Sequence, residues 1–383
     1  MSMRVAMLGQ YPRDEKRIAG GIEAVMVPLL RALARFDDLD LHVITCLPDV
    51  KGCQSTTEAG LPLHILQRRR LGRATFHVRD VVGMIRTLRK LSPDVVHAQG
   101  LGIYAAAAVH APYPHIVTAH GIFFREAEFA QGLIPRWRGL MDSFYERRCL
   151  SRVRNLISIS PYVEQDLLLR AGYKGRIFPI ENPVDDVFFG VDAEQEKATL
   201  LYAGRVIPRK GLLDLLRALV EVRRKLPEVQ LHVAGEAESQ PAYVRACWQF
   251  IEQYRLSTAV TFLGSLSIEQ MAQEYARCAI VVLPSKQETA PVVVAEAMAA
   301  ARPVVATRVC GVPYMVEDGG SGLLVDYGDV SALADALWHV LGDAQLRRRM
   351  GQRGRELAAA RFRADVVAAK TRQVYLQLTK ERE

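Results

Sequence analysis

Residues 199–216 read TLLYAGRVIPRKGLLDLL, which gives in succession a strand, a basic loop containing glycine and the start of a helix. Thr199–Ala203 is an apolar run of strand length, and an apolar helical pattern follows Gly211. Units of this kind build parallel sheets whose strands are joined by crossover helices. The stretch therefore predicts an α/β fold.

The same alternation of strand and helix patterns extends over nearly the whole chain. Helical patterns such as Ile22–Ala34 and Phe76–Leu91 separate short β-branched runs, and the pattern restarts at residue 199. A chain of 383 residues is long enough for two domains of about 180 residues each. We therefore expect two doubly wound Rossmann-like domains. The predicted strands are Arg4–Leu8, Leu41–Thr45, Asp94–Ala98, His115–Thr118, Asn155–Ser158 and Ile177–Ile180 in the first half, and Thr199–Ala203, Gln230–Ala234, Val260–Phe262, Ala279–Leu283, Val304–Ala306 and Leu323–Val325 in the second.

The segment Glu181–Glu196 is the predicted linker, because it holds Asn182-Pro183, acidic residues and no clear apolar periodicity. We expect one domain at residues 1–183 and a second at 184–360. Residues 361–383 have a helical pattern with one apolar stripe, which predicts a C-terminal helix that packs back toward the N-terminal domain.

Composition and charge limit the class of protein. Half of the residues are hydrophobic, and we expect a globular, cytoplasmic protein because no apolar run reaches the length of a membrane span. The six cysteines are scattered without a CxxC pair, which favours reduced thiols over a zinc site. A net charge of +8 suits an anionic partner, and charge alone does not choose among nucleic acid, an acidic membrane and a phosphorylated substrate.

Ligands of open parallel sheets bind beyond the carboxyl ends of the strands, so the loops there are the candidate sites. Gly204-Arg205 follows the strand that ends at Ala203, and Arg209-Lys210-Gly211 precedes the next helix. Arg205 and Lys210 are cations near a helix N-terminus, which favours a diphosphate site over a solvated surface.

Two glutamates follow a later strand of the second half. Glu288 stands in the loop that continues through Thr289 and Ala290, and Glu296 lies in the helical run Val292–Ala300. A carboxylate accepts hydrogen bonds from vicinal hydroxyls, so one glutamate can hold a sugar ring and the other a ribose, while amides near Thr289 face a phosphate. An unpaired charge at Glu296 would be costly in its apolar surroundings, which argues against an ordinary surface residue.

The first half offers two further candidates. Gly20 and Gly21 precede the helix that begins at Ile22, where paired glycines let backbone amides approach an anion; a tight turn is the less favoured alternative. His120 follows a strand and precedes Gly121, facing the expected cleft between the domains; a structural histidine is the alternative.

Taken together, these motifs resemble family 4 of the retaining glycosyltransferases, over essentially the whole chain. The resemblance implies the GT-B fold, in which two Rossmann-like domains face a cleft. The matching motifs, in the family's order, are Gly20-Gly21-Ile22-Glu23, Thr118-Ala119-His120-Gly121, Asn182-Pro183-Val184-Asp185, Gly204-Arg205 with Arg209-Lys210-Gly211, Glu288 with Glu296-Ala297-Met298-Ala299, and Pro303-Val304-Val305-Ala306-Thr307.

The resemblance also implies roles for these residues. Arg205 and Lys210 would hold the diphosphate of a nucleotide-sugar donor, Glu288 the hydroxyls of the donor sugar, and Glu296 the ribose. His120 would contact the donor sugar at the reaction centre, and the loop with Gly20 and Gly21 would close on the phosphates. The sequence departs from the family where Thr289-Ala290 replaces a frequent Phe-Gly pair, which bears on donor-sugar preference.

We expect no metal and no other cofactor, because the cationic residues supply countercharge for the departing diphosphate. Asp38-Leu39-Asp40 has the spelling used by metal-dependent glycosyltransferases, but it precedes a strand and is predicted to be a solvated turn. The resemblance implies that configuration is retained by a front-face route, in which the departing phosphate oxygen takes the proton of the acceptor.

The sequence motifs define the acceptor, and the place of the protein in the cell, less closely than they define the donor. We expect a lipid-linked or polysaccharide acceptor in cell-surface glycan synthesis, and no nucleic acid, since no recognised module is present. Arginines at Arg68–Arg70 with Arg73, and at Arg136 and Arg138 beside Trp137, suit peripheral contact with the inner membrane surface, with solvated arginines as the alternative. A GT-B epimerase or phosphorylase, and a non-catalytic subunit, remain the other hypotheses.

Overall fold

The computed structural model describes residues 2–15, 18, 20–48, 50, 52–58, 60–69, 77–121, 133–169, 171–191 and 198–381, with the backbone alone for 133–136, 138, 142 and 167–169. The chain divides into two compact units. Unit 1 comprises Met1–Pro12, Ile22–Pro183 and Ala364–Glu383, and unit 2 comprises Arg13–Gly21 and Val184–Arg363.

Unit 1 is built on a sheet of eight described strands in the order β3-β4-β2-β1-β5-β6-β7-β8. All neighbours pair in parallel except β3, which is antiparallel to β4 at the edge. The strands are β1 (Met3–Leu8), β2 (Leu39–Leu47), β3 (Cys53–Glu58), β4 (Leu61–Gln67), β5 (Val95–Gln99), β6 (His115–Ala119), β7 (Asn155–Ser158) and β8 (Arg176–Pro179).

The helices of unit 1 connect these strands and cover the sheet. The last of them packs in the same hydrophobic core as β1 and the first helix, through Val367, Val374 and Leu378. The described helices are α1 (Gly21–Leu33), α2 (Val78–Leu91), α3 (Ile103–His110), α4 (Leu133–Leu150), α5 (Pro161–Leu169) and α13 (Ala364–Lys380).

Unit 2 is built on a six-stranded parallel sheet in the order β11-β10-β9-β12-β13-β14, the doubly wound arrangement of Rossmann-like domains. Its strands are β9 (Thr199–Ala203), β10 (Gln230–Ala234), β11 (Val260–Gly264), β12 (Ile280–Leu283), β13 (Val304–Thr307) and β14 (Gly322–Val325). Its described helices are α6 (Asp186–Phe189), α7 (Leu212–Lys225), α8 (Pro241–Gln253), α9 (Ile268–Arg277), α10 (Val292–Ala299), α11 (Val330–Gly342) and α12 (Ala344–Arg361).

The β-branched and leucine runs form the central strands because both faces of each sheet are covered by helices. Every residue of β9 and β12 is buried, and one hydrophobic cluster of unit 2 lies around Leu200 and Leu216, the other around Leu201 and Met298. The α/β class and the two Rossmann-like domains predicted from the alternation are confirmed.

The structure differs from the expected elements in several places: the ends of β2 and β8 shift by one or two residues, and the short helix α6 lies within the predicted linker Glu181–Glu196. The β3-β4 hairpin was not expected, and the C-terminal helix begins at Ala364 rather than at residue 361. The helical run breaks there because Val184 N donates a hydrogen bond of 2.8 Å to Phe362 O and Val184 forms a bridge with Arg363.

Candidate functional site

Two of the candidate loops lie side by side at the centre of the unit 2 sheet. Strands β9 and β12 are neighbours, and the strand order reverses direction between them. Such a switch point leaves a crevice beyond the carboxyl ends of the two strands, where ligands of doubly wound sheets bind. The loop after β9 carries Arg205 and Lys210, and the loop after β12 carries Glu288.

Lys210 and Glu288 form an ion pair across these two loops. Lys210 Nζ lies 2.5 Å from Glu288 Oε1, although 78 residues separate them in sequence. The exposed fractions of the two side chains are only 15% and 8%, so water screens the pair weakly. The structure therefore pairs Lys210, predicted to bind the diphosphate, with Glu288, predicted to bind the donor sugar.

Backbone contacts fix the two loops against each other. Arg209 Nη1 donates to Gln287 O at 2.8 Å, and Lys286 N donates to Arg209 O at 2.8 Å. Gly211 ends the turn that carries Lys210, with φ of 72°, and a Cβ there would lie 2.1 Å from Pro284 O. Only glycine combines this conformation with this close approach, so the position of Lys210 depends on Gly211.

Arg205 lies at the exposed end of the loop that follows β9. Tyr202, which is buried, donates from its hydroxyl to Arg205 O at 2.9 Å and so holds the backbone of the loop. The pKa of the nearby carboxyl of Glu236 is lowered, chiefly by a hydrogen bond from Ser239, with a smaller contribution from the charge of Arg205. Arg205 is therefore an exposed cation on the same loop that carries Lys210.

Glu296 lies in α10 and is paired with a tyrosine rather than with a cation. The Tyr275 hydroxyl donates to Glu296 Oε2 at 2.8 Å, and Tyr275 itself is fully buried against Phe188. Burial raises the pKa of Glu296 to about 7, with the Tyr275 hydrogen bond opposing the shift and the charge of Asp185 adding to it. Near pH 7 both the protonated and the ionised form of the Glu296 carboxyl are therefore populated.

Thr289 and Ala290 are half-buried residues between Glu288 and the start of α10 at Val292. Gly311, from the loop after β13, packs directly on them: a Cβ at Gly311 would lie 1.6 Å from Thr289 O. Gly311 N donates to Glu288 O at 2.9 Å. Gly311 thus holds the backbone that carries Glu288 and Thr289.

His120 lies in unit 1 at the carboxyl end of β6. Its Nε2 is 2.6 Å from Gln99 Oε1. Burial lowers the pKa of His120 to about 4, and a side-chain hydrogen bond to Asn182 opposes that shift. The imidazole is therefore neutral at physiological pH, and it cannot act there as a cationic contact for a phosphate.

Gly20 and Gly21 are exposed residues at the start of α1. A Cβ added at either would meet none of the described atoms within 4 Å, so the described part of the chain gives no packing reason for glycine at these positions. The contact of this loop with phosphates therefore stays a prediction.

The prediction that Asp38-Leu39-Asp40 is a solvated turn is wrong for the last two residues. Strand β2 begins at Leu39, Asp40 Oδ2 lies 2.7 Å from Arg4 Nε, and Asp38 accepts hydrogen bonds from Arg372. Over the described part of the chain, no group of three or more His, Cys, Asp and Glu side chains is placed to hold a metal ion.

The basic clusters suggested for a membrane surface fall partly outside the described residues. This holds for Arg70, for Arg73 and for the side chains of Arg136 and Arg138. Trp137, between the last two, is 55% exposed. Among the helices that the structure describes, none has the length and apolar character to cross a membrane.

The sequence analysis missed several residues that shape these sites. Tyr275 and Gly311 carried no recognisable signal, because each contacts residues of a separate element: Tyr275 of α9 contacts Glu296 of α10, and Gly311 of the loop after β13 contacts the loop after β12. Gln99 and His97 did carry one: they are polar residues in β5, VVHAQ, which is otherwise a fully apolar strand and is buried throughout.

Sequence comparisons match both halves of the chain to families of known function. The family described as Glycosyl transferases group 1 matches residues 184–357, and Glycosyltransferase Family 4 matches residues 19–188. The glycogen synthase of Mycobacterium tuberculosis is 30% identical over 297 residues, which cover 76% of this chain and 70% of that protein.

Structural comparisons find the same two-unit architecture in solved proteins. The sucrose-phosphate synthase of Thermosynechococcus elongatus superposes with a TM-score of 0.81 at 24% identity, over 99% of this chain and 100% of that one. Anabaena HepE in complex with UDP-glucose gives a TM-score of 0.75 at 22% identity, over 98% and 100% of the two chains. At these identities the likeness shows a shared fold.

Proposed function

This chain belongs to glycosyltransferase family 4 and is a glycosyltransferase of the GT-B fold, and on that premise we propose that it transfers a sugar from a nucleoside diphosphate donor to an acceptor with retention of anomeric configuration. The observation that carries the proposal is the Lys210–Glu288 pair at the switch point of the unit 2 sheet. A weakly screened cation and anion at one crevice suit a ligand that has both phosphates and hydroxyls.

When the donor binds, Lys210 and Glu288 exchange their contact with each other for contacts with the donor. Lys210 turns from Glu288 to the diphosphate, and Arg205, which is exposed at the end of the same loop, adds bidentate hydrogen bonds to phosphate oxygens. Glu288 then accepts hydrogen bonds from hydroxyls of the donor sugar. Glu296 accepts from the ribose hydroxyls, and the backbone at Thr289 and Ala290 faces the phosphates.

Charge development on the leaving group is the main barrier to be lowered. Arg205 and Lys210 supply the countercharge, so the transfer proceeds without a metal ion. In the front-face route, the departing phosphate oxygen removes the proton of the acceptor hydroxyl while that hydroxyl bonds to the anomeric carbon on the same face. No protein nucleophile is needed.

Residues of unit 1 complete the reaction centre in this proposal. His120 contacts the donor sugar as a neutral imidazole, in agreement with its lowered pKa. Gly20 and Gly21 close on the phosphates, and the absence of described protein atoms within 4 Å of a Cβ at either position leaves room for such a ligand.

The acceptor is lipid-linked or a polysaccharide at the cell surface, and unit 1 contacts an anionic membrane from the inside. Support comes from α4, on which Trp137, Leu140 and Phe144 are 55%, 69% and 57% exposed. Arg147 and Arg148 of the same helix are exposed as well. Large apolar side chains beside arginines are the composition of interfacial helices.

The stereochemical outcome tests the proposal. Purified protein is incubated with UDP-glucose, GDP-mannose and other nucleotide sugars together with lipid-linked and oligosaccharide acceptors, and the product is followed by proton NMR. A product with the anomeric configuration of its donor supports the proposal. An inverted product contradicts retention, and a free epimer or sugar phosphate without transfer shows an epimerase or phosphorylase.

A further inference from the structure

A chain of hydrogen bonds runs from His120 into the interior of unit 1. His120 Nε2 lies 2.6 Å from Gln99 Oε1, and Gln99 Nε2 lies 3.2 Å from His97 Nε2. His97 Nδ1 lies 2.6 Å from the hydroxyl of Tyr375, and Thr118 Oγ1 lies 2.7 Å from His97 Nε2. The chain thus connects the carboxyl ends of β5 and β6 to the C-terminal helix α13.

The interior members of this chain are polar groups in a hydrophobic core. His97, Gln99 and Tyr375 have exposed fractions of 0%, 1% and 0%. Burying such groups without partners is costly, and here each has at least one hydrogen-bond partner. Burial lowers the pKa of His97 to about 3, so its ring, like that of His120, is neutral and carries one proton on one of two nitrogens.

Gln99 determines which nitrogen that is. Its amide nitrogen also faces Met7 Sδ at 3.2 Å, a weak acceptor, which orients the amide oxygen toward His120. His120 must then donate from Nε2, and His97 Nε2 must accept. His97 consequently donates from Nδ1 to the Tyr375 hydroxyl, and this arrangement is consistent with every contact of the chain when the Thr118 hydroxyl also donates to His97 Nε2.

We propose that Gln99 is a positioning residue that, supported by His97 and Tyr375, holds His120 as its Nε2–H tautomer, so that Nδ1 accepts a hydrogen bond from a hydroxyl of the donor sugar once that hydroxyl displaces the side chain of Asn182. The tautomer rests on the orientation of the Gln99 amide, whereas the sugar contact rests on the proposed function. In β5 the side chains of residues 97 and 99 share one face of the sheet, which is how one strand supplies both.

Ring nitrogen chemical shifts of the histidines test the tautomer directly. The signals of His120 are assigned in 15N-histidine-labelled protein by their absence from His120→Asn. The wild type is expected to show protonated Nε2 and unprotonated Nδ1. In Gln99→Leu, the Nε2–H preference should be lost, and the turnover number should fall by about 2- to 13-fold, the contribution of one hydrogen bond, with little change in affinity for the nucleoside diphosphate.

Tyr375→Phe provides a second variant in case Gln99→Leu does not fold. It removes the acceptor of His97 and should shift the His120 tautomer although Tyr375 does not touch His120. Tyr104→Phe, another buried tyrosine of unit 1, is the matched control and should leave the His120 signals unchanged.

Protonated Nδ1 in the wild type, or an unchanged His120 tautomer in both Gln99→Leu and Tyr375→Phe, would overturn the proposal. If the tautomer responds as expected while the wild type transfers no sugar, the hydrogen-bond chain stands and the proposed function fails.

Discussion

Replacing Glu288 by glutamine perturbs the central pair while keeping the shape of the side chain. In the unliganded protein the change leaves the Lys210 ammonium, only 15% exposed, with a neutral acceptor instead of a carboxylate at 2.5 Å. Removing one partner of a buried pair costs about 3–5 kcal/mol, but the amide oxygen retains one hydrogen bond. We therefore expect a loss of roughly 1–3 kcal/mol, which lowers the melting temperature of a unit of this size by about 2–12 °C.

The same substitution separates sugar binding from diphosphate binding. Hydrogen bonds from the donor sugar to a carboxylate are each worth about 1.5–3 kcal/mol, so transfer should fall by roughly 10- to 150-fold. Affinity for the nucleoside diphosphate should stay equal or increase, because Lys210 no longer has to leave Glu288 to reach the phosphates.

Thermal unfolding, titration calorimetry with the nucleoside diphosphate and a transfer assay measure the three effects in one set of samples. Glu317→Gln is the matched control, since Glu317 pairs with Arg353 on the exposed surface of the same unit and the substitution should leave the melting temperature nearly unchanged. Unchanged stability and turnover in Glu288→Gln, or loss of diphosphate affinity equal to the loss of transfer, would refute the reasoning.

Three further outcomes follow from the site and its surroundings. Because the pKa of Glu296 is about 7 and the carboxylate accepts from both ribose hydroxyls, affinity for the nucleoside diphosphate should tighten as pH rises through 7. The terminal phosphate of the nucleotide also ionises at about pH 6, so calorimetry should find the pH dependence in Glu296→Gln reduced by up to about tenfold per unit but not absent. Identical pH profiles for the two proteins would remove Glu296 from the ribose site. Transfer should persist in EDTA, and complete loss that manganese restores would contradict a metal-free reaction. The double variant Trp137→Ala/Phe144→Ala should bind vesicles containing phosphatidylglycerol about tenfold or more weakly than the wild type in a sedimentation assay. Trp338→Ala, which removes an equally large exposed side chain from unit 2, should bind like the wild type. Equal binding of the wild type, the double variant and Trp338→Ala would argue against the α4 face.

The central strands were predictable because burial on both faces demands continuous apolar runs. Thr199–Ala203 and Asn155–Ser158 have the predicted bounds. The β3-β4 hairpin was not predictable: β3, CQSTTE, is almost wholly exposed and lacks apolar alternation, and Pro62 interrupts the pattern of β4.

The residues of the site could be chosen from sequence, but their partners could not. Position after a strand identifies Lys210 and Glu288 as candidates, whereas their ion pair depends on β9 and β12 being neighbours. The Tyr275–Glu296 bond likewise joins two helices, and the raised pKa of Glu296 follows from the burial that results. Sequence supplies the chemical groups, and topology decides which of them meet.

The account depends most on the claim that Arg205 and Lys210 hold the diphosphate of the donor. Titration calorimetry with UDP, GDP and ADP in turn, on the wild type and on Arg205→Ala/Lys210→Ala shown to be folded by its thermal transition, tests it directly. Two charged contacts of about 1.5–3 kcal/mol each predict that a nucleoside diphosphate binds the wild type and binds the double variant more weakly by about 150-fold or more. Equal affinity in both proteins, or no binding of any of the three to the wild type, would contradict the claim.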